Sequence, residues 1–130
     1  GGLAVNIYGY TRNTGDIDIL LEDTTENRIN LRAAFKQIGI GDFPQIETMQ
    51  FVAGYTDFTI SYDLRLDVMT SIKGLENANF DELLQNATIV YLNEVPVYFI
   101  DYDSLILAKK ATNRLKDQLD IEELNKLNNK

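Results

Sequence analysis

Apolar and polar residues alternate with a period of two in "DIDILLE", where Ile17, Ile19 and Leu21 share one side of an extended chain and Asp16, Asp18 and Leu20 the other. The pattern predicts a strand over 16–22. Before it, Leu3, Ile7 and Tyr10 recur at helical spacing beside Ala4 and Tyr8, a short helix ending near Gly9. After it, Leu31, Ala34, Phe35 and Ile38 form a helical stripe, opened by a capping box of Asp23 and Glu26 and stopped by Gly39. "GIGDFPQIE" reads as a loop. "TMQFVA", "FTISYD" and "LRLDVMTSI" read as strands, with turns at 54–57 and 63–64. "NFDELLQNA" is a short helix, and "TIVYL" and "VPVYFI" are a hairpin around Asn93 and Glu94. Two helices close the chain, "SLILAKKATNRLKDQ" and "DIEELNKLNN", with an Asn/Lys tail expected to fray. The order predicts an α+β fold, a mixed β-sheet with flanking helices and C-terminal helices, in one domain spanning residues 1–130.

Composition narrows the chemistry. The chain has neither cysteine nor histidine, so thiol nucleophiles, disulfides, Ser-His-Asp triads and Cys/His zinc sites are excluded. A general base must be a carboxylate, or else Lys or Tyr, and a metal must be held by oxygen, which favours magnesium, manganese or calcium. A formal charge of −8 argues against non-specific binding to nucleic acid or anionic lipid. No apolar run approaches the roughly 20 residues of a membrane span, and a cytoplasmic location is expected. The opening Gly1-Gly2, without methionine, suggests that the natural start lies upstream.

Asp16 and Asp18 on one strand face pose a problem. Two carboxylates roughly 6–7 Å apart repel by about 2–3 kcal/mol at an effective dielectric near 20. Alternation in "LRLDVMTSI" sets Arg65, Asp67, Met69 and Ser71 opposite Leu64, Leu66, Val68 and Thr70, so Asp67 also interrupts a strand with charge. If the two strands are neighbours, three acids meet on one sheet face, where two divalent ions would resolve the repulsion. That is the arrangement of in-line nucleotidyl displacement, with Asp67 the candidate to accept a hydroxyl proton. Solvated strand ends and an edge charge that discourages aggregation are the plainer explanations of the same residues.

Taken together, "GGLAV" followed by "GYTRNTGDIDILLED" resembles the signature of the DNA polymerase β-like nucleotidyltransferase superfamily, in its small bacterial Gly-Gly/Asp-x-Asp form. "RLDVMTSIKGL" is similar to the family's third-acid strand, and "DYDSLILAKKATNRLKDQLDIEEL" to its closing Lys, Arg and Asp segment. The resemblance implies transfer of a nucleoside monophosphate from a nucleoside triphosphate to a hydroxyl of a small molecule, protein or RNA, with two Mg2+ ions (Mn2+ as a substitute). It implies that Asp16, Asp18 and Asp67 bind metal and act in catalysis. Gly1, Gly2, Thr14 and Lys109 would meet the nucleotide, the glycines by letting backbone N–H groups approach the triphosphate. Arg114 and Asp117 would form an ion pair on one helix face, and Arg12 would contact phosphate or brace its loop. The family usually places a helix and a strand before the glycine pair, and the domain is expected to lack both.

The competing expectation is a non-catalytic nucleotide-binding or interaction module, such as a toxin–antitoxin component. Exposed-looking Tyr8, Tyr10, Tyr55, Tyr62, Tyr98 and Tyr102 would then serve a protein partner. A calcium site is a weaker third, since the acids lack EF-hand spacing.

Overall fold

The computed structural model describes residues 2–128. The protein is α+β, with a mixed sheet and, among the described residues, five α-helices, two of them C-terminal. The described residues divide into two compact units, residues 15–70 and the combination of residues 2–14 with 71–128.

In the first unit, strands β1 (Asp16–Leu20), β2 (Asp57–Ser61) and β3 (Leu64–Met69) form a sheet of order β1-β3-β2, with helix α2 (Thr25–Gln37) and one 3₁₀ turn (Pro44–Glu47). β1 lies parallel to β3 and β2 antiparallel to it. The registers Ile17↔Leu66, Ile19↔Val68 and Phe58↔Leu66 gather apolar residues of all three strands on one face. That face packs with Leu21, Phe35, Ile46 and Phe51 into a core in which Phe35 meets Phe58 edge-on at 4.9 Å. Burying each such side chain contributes about 1.5–3 kcal/mol. The opposite face carries Asp16, Asp18, Arg65, Asp67, Asp57 and Thr59.

Three local expectations are corrected here. The cap of α2 is Thr24, whose hydroxyl accepts from Asn27 N–H, because Arg28 binds both oxygens of Asp23. "TMQFVA" is not a strand, and the preceding loop contains the 3₁₀ turn. Arg28 donates to the carbonyls of Ile46 and Met49 at 2.9 and 2.7 Å and lies over the Phe51 ring, while Thr56 Oγ1 accepts from Val52 N–H. Several of the segment's backbone groups are thus bonded without a strand neighbour.

The second unit contains helices α1 (Gly2–Ile7), α3 (Phe80–Gln85), α4 (Tyr102–Thr112) and α5 (Leu115–Asn128), and the hairpin of β4 (Thr88–Leu92) and β5 (Val95–Phe99). Asn93 and Glu94 both adopt positive φ, as a two-residue hairpin turn requires. Ala4, Val5, Leu105 and Leu124 form the core, joined by Tyr8, Tyr10, Tyr102 and Phe99. The expectation of exposure is therefore corrected for Tyr8, Tyr10 and Tyr102. Tyr8 donates to Ile100 O at 2.6 Å, and Tyr102 to Asn125. Tyr55, Tyr62 and Tyr98 are exposed.

The break between the last helices falls at Asn113 and Arg114, earlier than the sequence suggested. Asn113 is left-handed, and the Asp117 carboxylate accepts from Arg114 N–H and from Thr112 Oγ1, stapling the corner. At Gly74 (φ +93°), an added Cβ would stand 2.7 Å from Ala111 Cβ and 3.0 Å from Leu107 O, so the chain passes over α4 where only glycine fits. Among the described residues no helix is long and apolar enough to cross a membrane.

Candidate functional site

The acids of the first unit owe their placement to the parallel ladder. Asp18 stands directly opposite Asp67 and Asp16 opposite Arg65, and facing residues of neighbouring strands project to the same side. Asp57, on β2, faces Asp67 from the other flank. Four carboxylates and one guanidinium therefore share a sheet face.

This arrangement answers the repulsion problem in part. Asp16 and Asp18 are exposed, so water screens them, and Arg65 supplies positive charge, reaching Asp57 at 3.4 Å. Asp67 is different. It is partly buried, its Oδ2 accepts from Gly54 N–H at 2.9 Å, and its Oδ1 is buried with no hydrogen-bond partner among the described residues. Burial, followed by the charges of Asp18, Asp57 and Asp16, pushes its pKa upward against the opposing Gly54 hydrogen bond. A desolvated carboxylate oxygen without a donor favours either a proton or a cation.

The donor set is right in kind for a hard divalent ion, being all oxygen. Asp18 and Asp67 are the pair that would hold it, and the orphaned Oδ1 is the coordination valence the fold leaves open. Asp16 sits one strand repeat away, about 6.6 Å along β1. Among the described residues no three acidic side chains are grouped to enclose a metal ion as they stand. The pair fits; a three-carboxylate cage needs side-chain rearrangement. A shallow cavity of about 300 Å³ opens beside Asp16, lined by Gly15, by Tyr62 and Asp63 of the β2–β3 turn, and by Arg65.

The remaining predicted residues belong to the second unit. Gly1 lies outside the described residues. Gly2 is buried at the start of α1, where an added Cβ would lie 2.7 Å from Thr14 Cβ, 2.8 Å from Thr14 Oγ1 and 3.2 Å from Arg12 Nη1. Packing alone therefore demands glycine at position 2. Lys109 is buried, its ammonium 2.9 Å from Asp120 Oδ2 and 3.3 Å from Asp117 Oδ1. Arg12 grips Asp120 with two parallel bonds, Nε to Oδ1 and Nη2 to Oδ2, each 2.9 Å. Arg114 and Asp117 do form the expected ion pair, at 2.8 Å. These cations and hydrogen bonds outweigh the burial of Asp117 and Asp120 and hold both carboxyls below the usual range.

Sequence reasoning missed Asp57, which was read as a turn residue, and Asp120, which received no role. The alternation in "DFTIS" was the available signal for the first, and the i, i+3 spacing of Asp117 and Asp120 for the second. No protein-family model, no curated protein and no solved structure matches this chain.

Proposed function

We propose that the chain is a magnesium-dependent nucleotidyltransferase that moves a nucleoside monophosphate from a nucleoside triphosphate to a hydroxyl acceptor. The observation that carries this reading is the register placing Asp18 opposite Asp67, with Asp16 on the same face. The resemblance of the glycine pair, Asp-x-Asp and third-acid segments to the superfamily supports it in order and spacing.

In this reading Asp18 and Asp67 hold the divalent ion, with Asp16 as the outer acid. When bound, the ion would neutralise phosphate charge and favour in-line displacement. The acceptor oxygen forms a bond to the α-phosphorus, the bond from that phosphorus to the α–β bridging oxygen breaks, and pyrophosphate leaves. Asp67 takes the hydroxyl proton, since the chain has no histidine to do so. Lys109 is taken up by two aspartates, Asp117 and Asp120.

The test is incubation with each α-labelled triphosphate, magnesium and a cell extract, followed by a search for the labelled acceptor. Transfer should drop by about 10²-fold or more in Asp67→Ala and Asp18→Ala. Undiminished transfer by folded Asp67→Ala would overturn the reading.

The β4–β5 hairpin favours a second reading. Ile89, Tyr91, Pro96 and Tyr98 share one of its faces, all exposed. An aromatic-rich face of this kind suits a protein partner. Triphosphate binding without turnover over many acceptors would favour the non-catalytic module.

A further inference from the structure

We propose that β4 is the edge through which two copies of this chain pair, antiparallel and around a twofold axis at Val90, to form a four-stranded sheet. The pairing is independent of the nucleotidyltransferase reading.

The hairpin turn fixes which backbone groups are on offer. Asn93 and Glu94 have φ of 50° and 68°, the two-residue turn in which the flanking Leu92 and Val95 form a hydrogen-bonded pair. Bonded and non-bonded pairs alternate from there, so Val90↔Val97 and Thr88↔Phe99 bond within the hairpin. Ile89↔Tyr98 and Tyr91↔Pro96 do not, and their backbone groups point out of the two edges. On β5 that edge is blunted, because Pro96 has no N–H to offer. On β4 nothing blunts it. The N–H and C=O of Ile89 and Tyr91 face outward, the sheet ends at β4, and no other element bonds them among the described residues. The foot of the hairpin is held by Tyr8, whose hydroxyl lies 2.8 Å from Thr88 Oγ1 and donates to Ile100 O.

This edge is complementary to itself. With the axis at Val90, Ile89 meets Tyr91 of the second copy and Tyr91 meets Ile89 of the second copy, so all four outward groups of each strand find partners. The side chains of Ile89, Tyr91, Pro96 and Tyr98 share one face, with Tyr91 68% and Tyr98 52% exposed. Each new ladder pair sets an aromatic ring against a β-branched side chain, a favourable combination. Charge selects a copy over another partner. The chain carries −8, yet no charged residue lies between Glu82 and Glu94. The strip has no counter-charge for an acidic or basic peptide, and self-pairing brings no like charges face to face. Pro96 keeps the far edge from adding a third copy, so the assembly closes at two.

Sedimentation velocity on the full chain tests this. Five-residue strands bury less than the roughly 1,600 Å² of a standard interface, so Kd should be about 10⁻⁵–10⁻⁴ M. A monomer–dimer equilibrium is expected, tighter in high salt, which screens the net charge of the two copies. Amide exchange followed by NMR should show the Ile89 and Tyr91 N–H groups gaining about threefold or more protection over Val90 N–H as concentration rises. Ile89→Lys/Tyr91→Lys sets ammonium groups opposite each other twice and should weaken the dimer by about tenfold or more. Ile89→Lys/Tyr91→Glu sets opposite charges face to face in this register and should keep Kd within about threefold. A chain monomeric throughout, growth beyond the dimer, an equal effect of the two double variants, or a dimer without added protection at Ile89 and Tyr91 overturns the proposal. Thermal melts establish folding, and if either double variant does not fold, the exchange pattern of the unaltered chain decides.

Discussion

Two groups of aspartates in this protein are treated in opposite ways. In the second unit, Asp117 and Asp120 are buried, yet every carboxylate oxygen has a cation or a donor, and both pKa values are pulled down. In the first unit, Asp67 is partly buried with one oxygen unpartnered, faces Asp18 and Asp57 across two ladders, and has its pKa pushed up. The first group builds structure. The second is held against its own repulsion, and that unmet demand for a cation makes it the candidate for chemistry.

The largest way to break the contrast is Asp120→Ala. It strands the Lys109 ammonium with a weaker partner and frees Arg12, and should cost about 3–5 kcal/mol in urea unfolding. A loss below 1 kcal/mol would mean the buried network is not structural.

Asp67→Asn should do the reverse in magnesium-free buffer at pH 7. The amide keeps an oxygen for Gly54 N–H and removes a charge facing two others, so unfolding free energy should rise by about 0.2–1 kcal/mol. Destabilisation of that size would indicate an unseen cation partner.

Acid titration sharpens the comparison through the signs of the two shifts. Asp67's folded pKa is raised above the ordinary 3.8. Its protonated form is therefore favoured by folding, and its contribution is present below that pH and lost as pH rises through the folded value. The advantage of Asp67→Asn should shrink as pH falls from 7 toward 4. Asp120's folded pKa is lowered from 3.8, so its contribution is present above that value and lost as pH falls through the folded one. The Asp120→Ala deficit should accordingly persist at pH 4. Parallel behaviour of the two variants would erase the distinction.

The smallest expected effect is a magnesium-dependent rise in melting temperature of about 1–3 °C at millimolar Mg2+, by preferential binding to the folded chain. It should vanish in Asp67→Ala and Asp18→Ala and survive in Asp120→Asn wherever that variant folds. A shift equal in all of them would place the ion elsewhere.

Much of the fold was written in local pattern. Period-two alternation identified β1, β2 and β3, Asn93 and Glu94 marked the hairpin turn, and helical stripes located α1, α2 and α4. Expectations failed where long-range partners decided. Arg28 took Asp23 from its cap and donates to the Met49 carbonyl, within a segment that reads as a strand. Asp117 moved the helix break to the place where its carboxylate could bond Thr112 and Arg114.

By itself, the sequence determined that Asp16 and Asp18 share a face and that Asp67 interrupts an apolar strand, because strand geometry repeats every two residues. It also determined that no histidine or cysteine takes part. Tertiary structure alone decided that β1 and β3 lie side by side in a register pairing Asp18 with Asp67, that Asp57 joins them, and that Lys109 is buried between aspartates rather than exposed. Register and burial depend on which elements pack together, and that choice is made by the whole core rather than by any short stretch of chain.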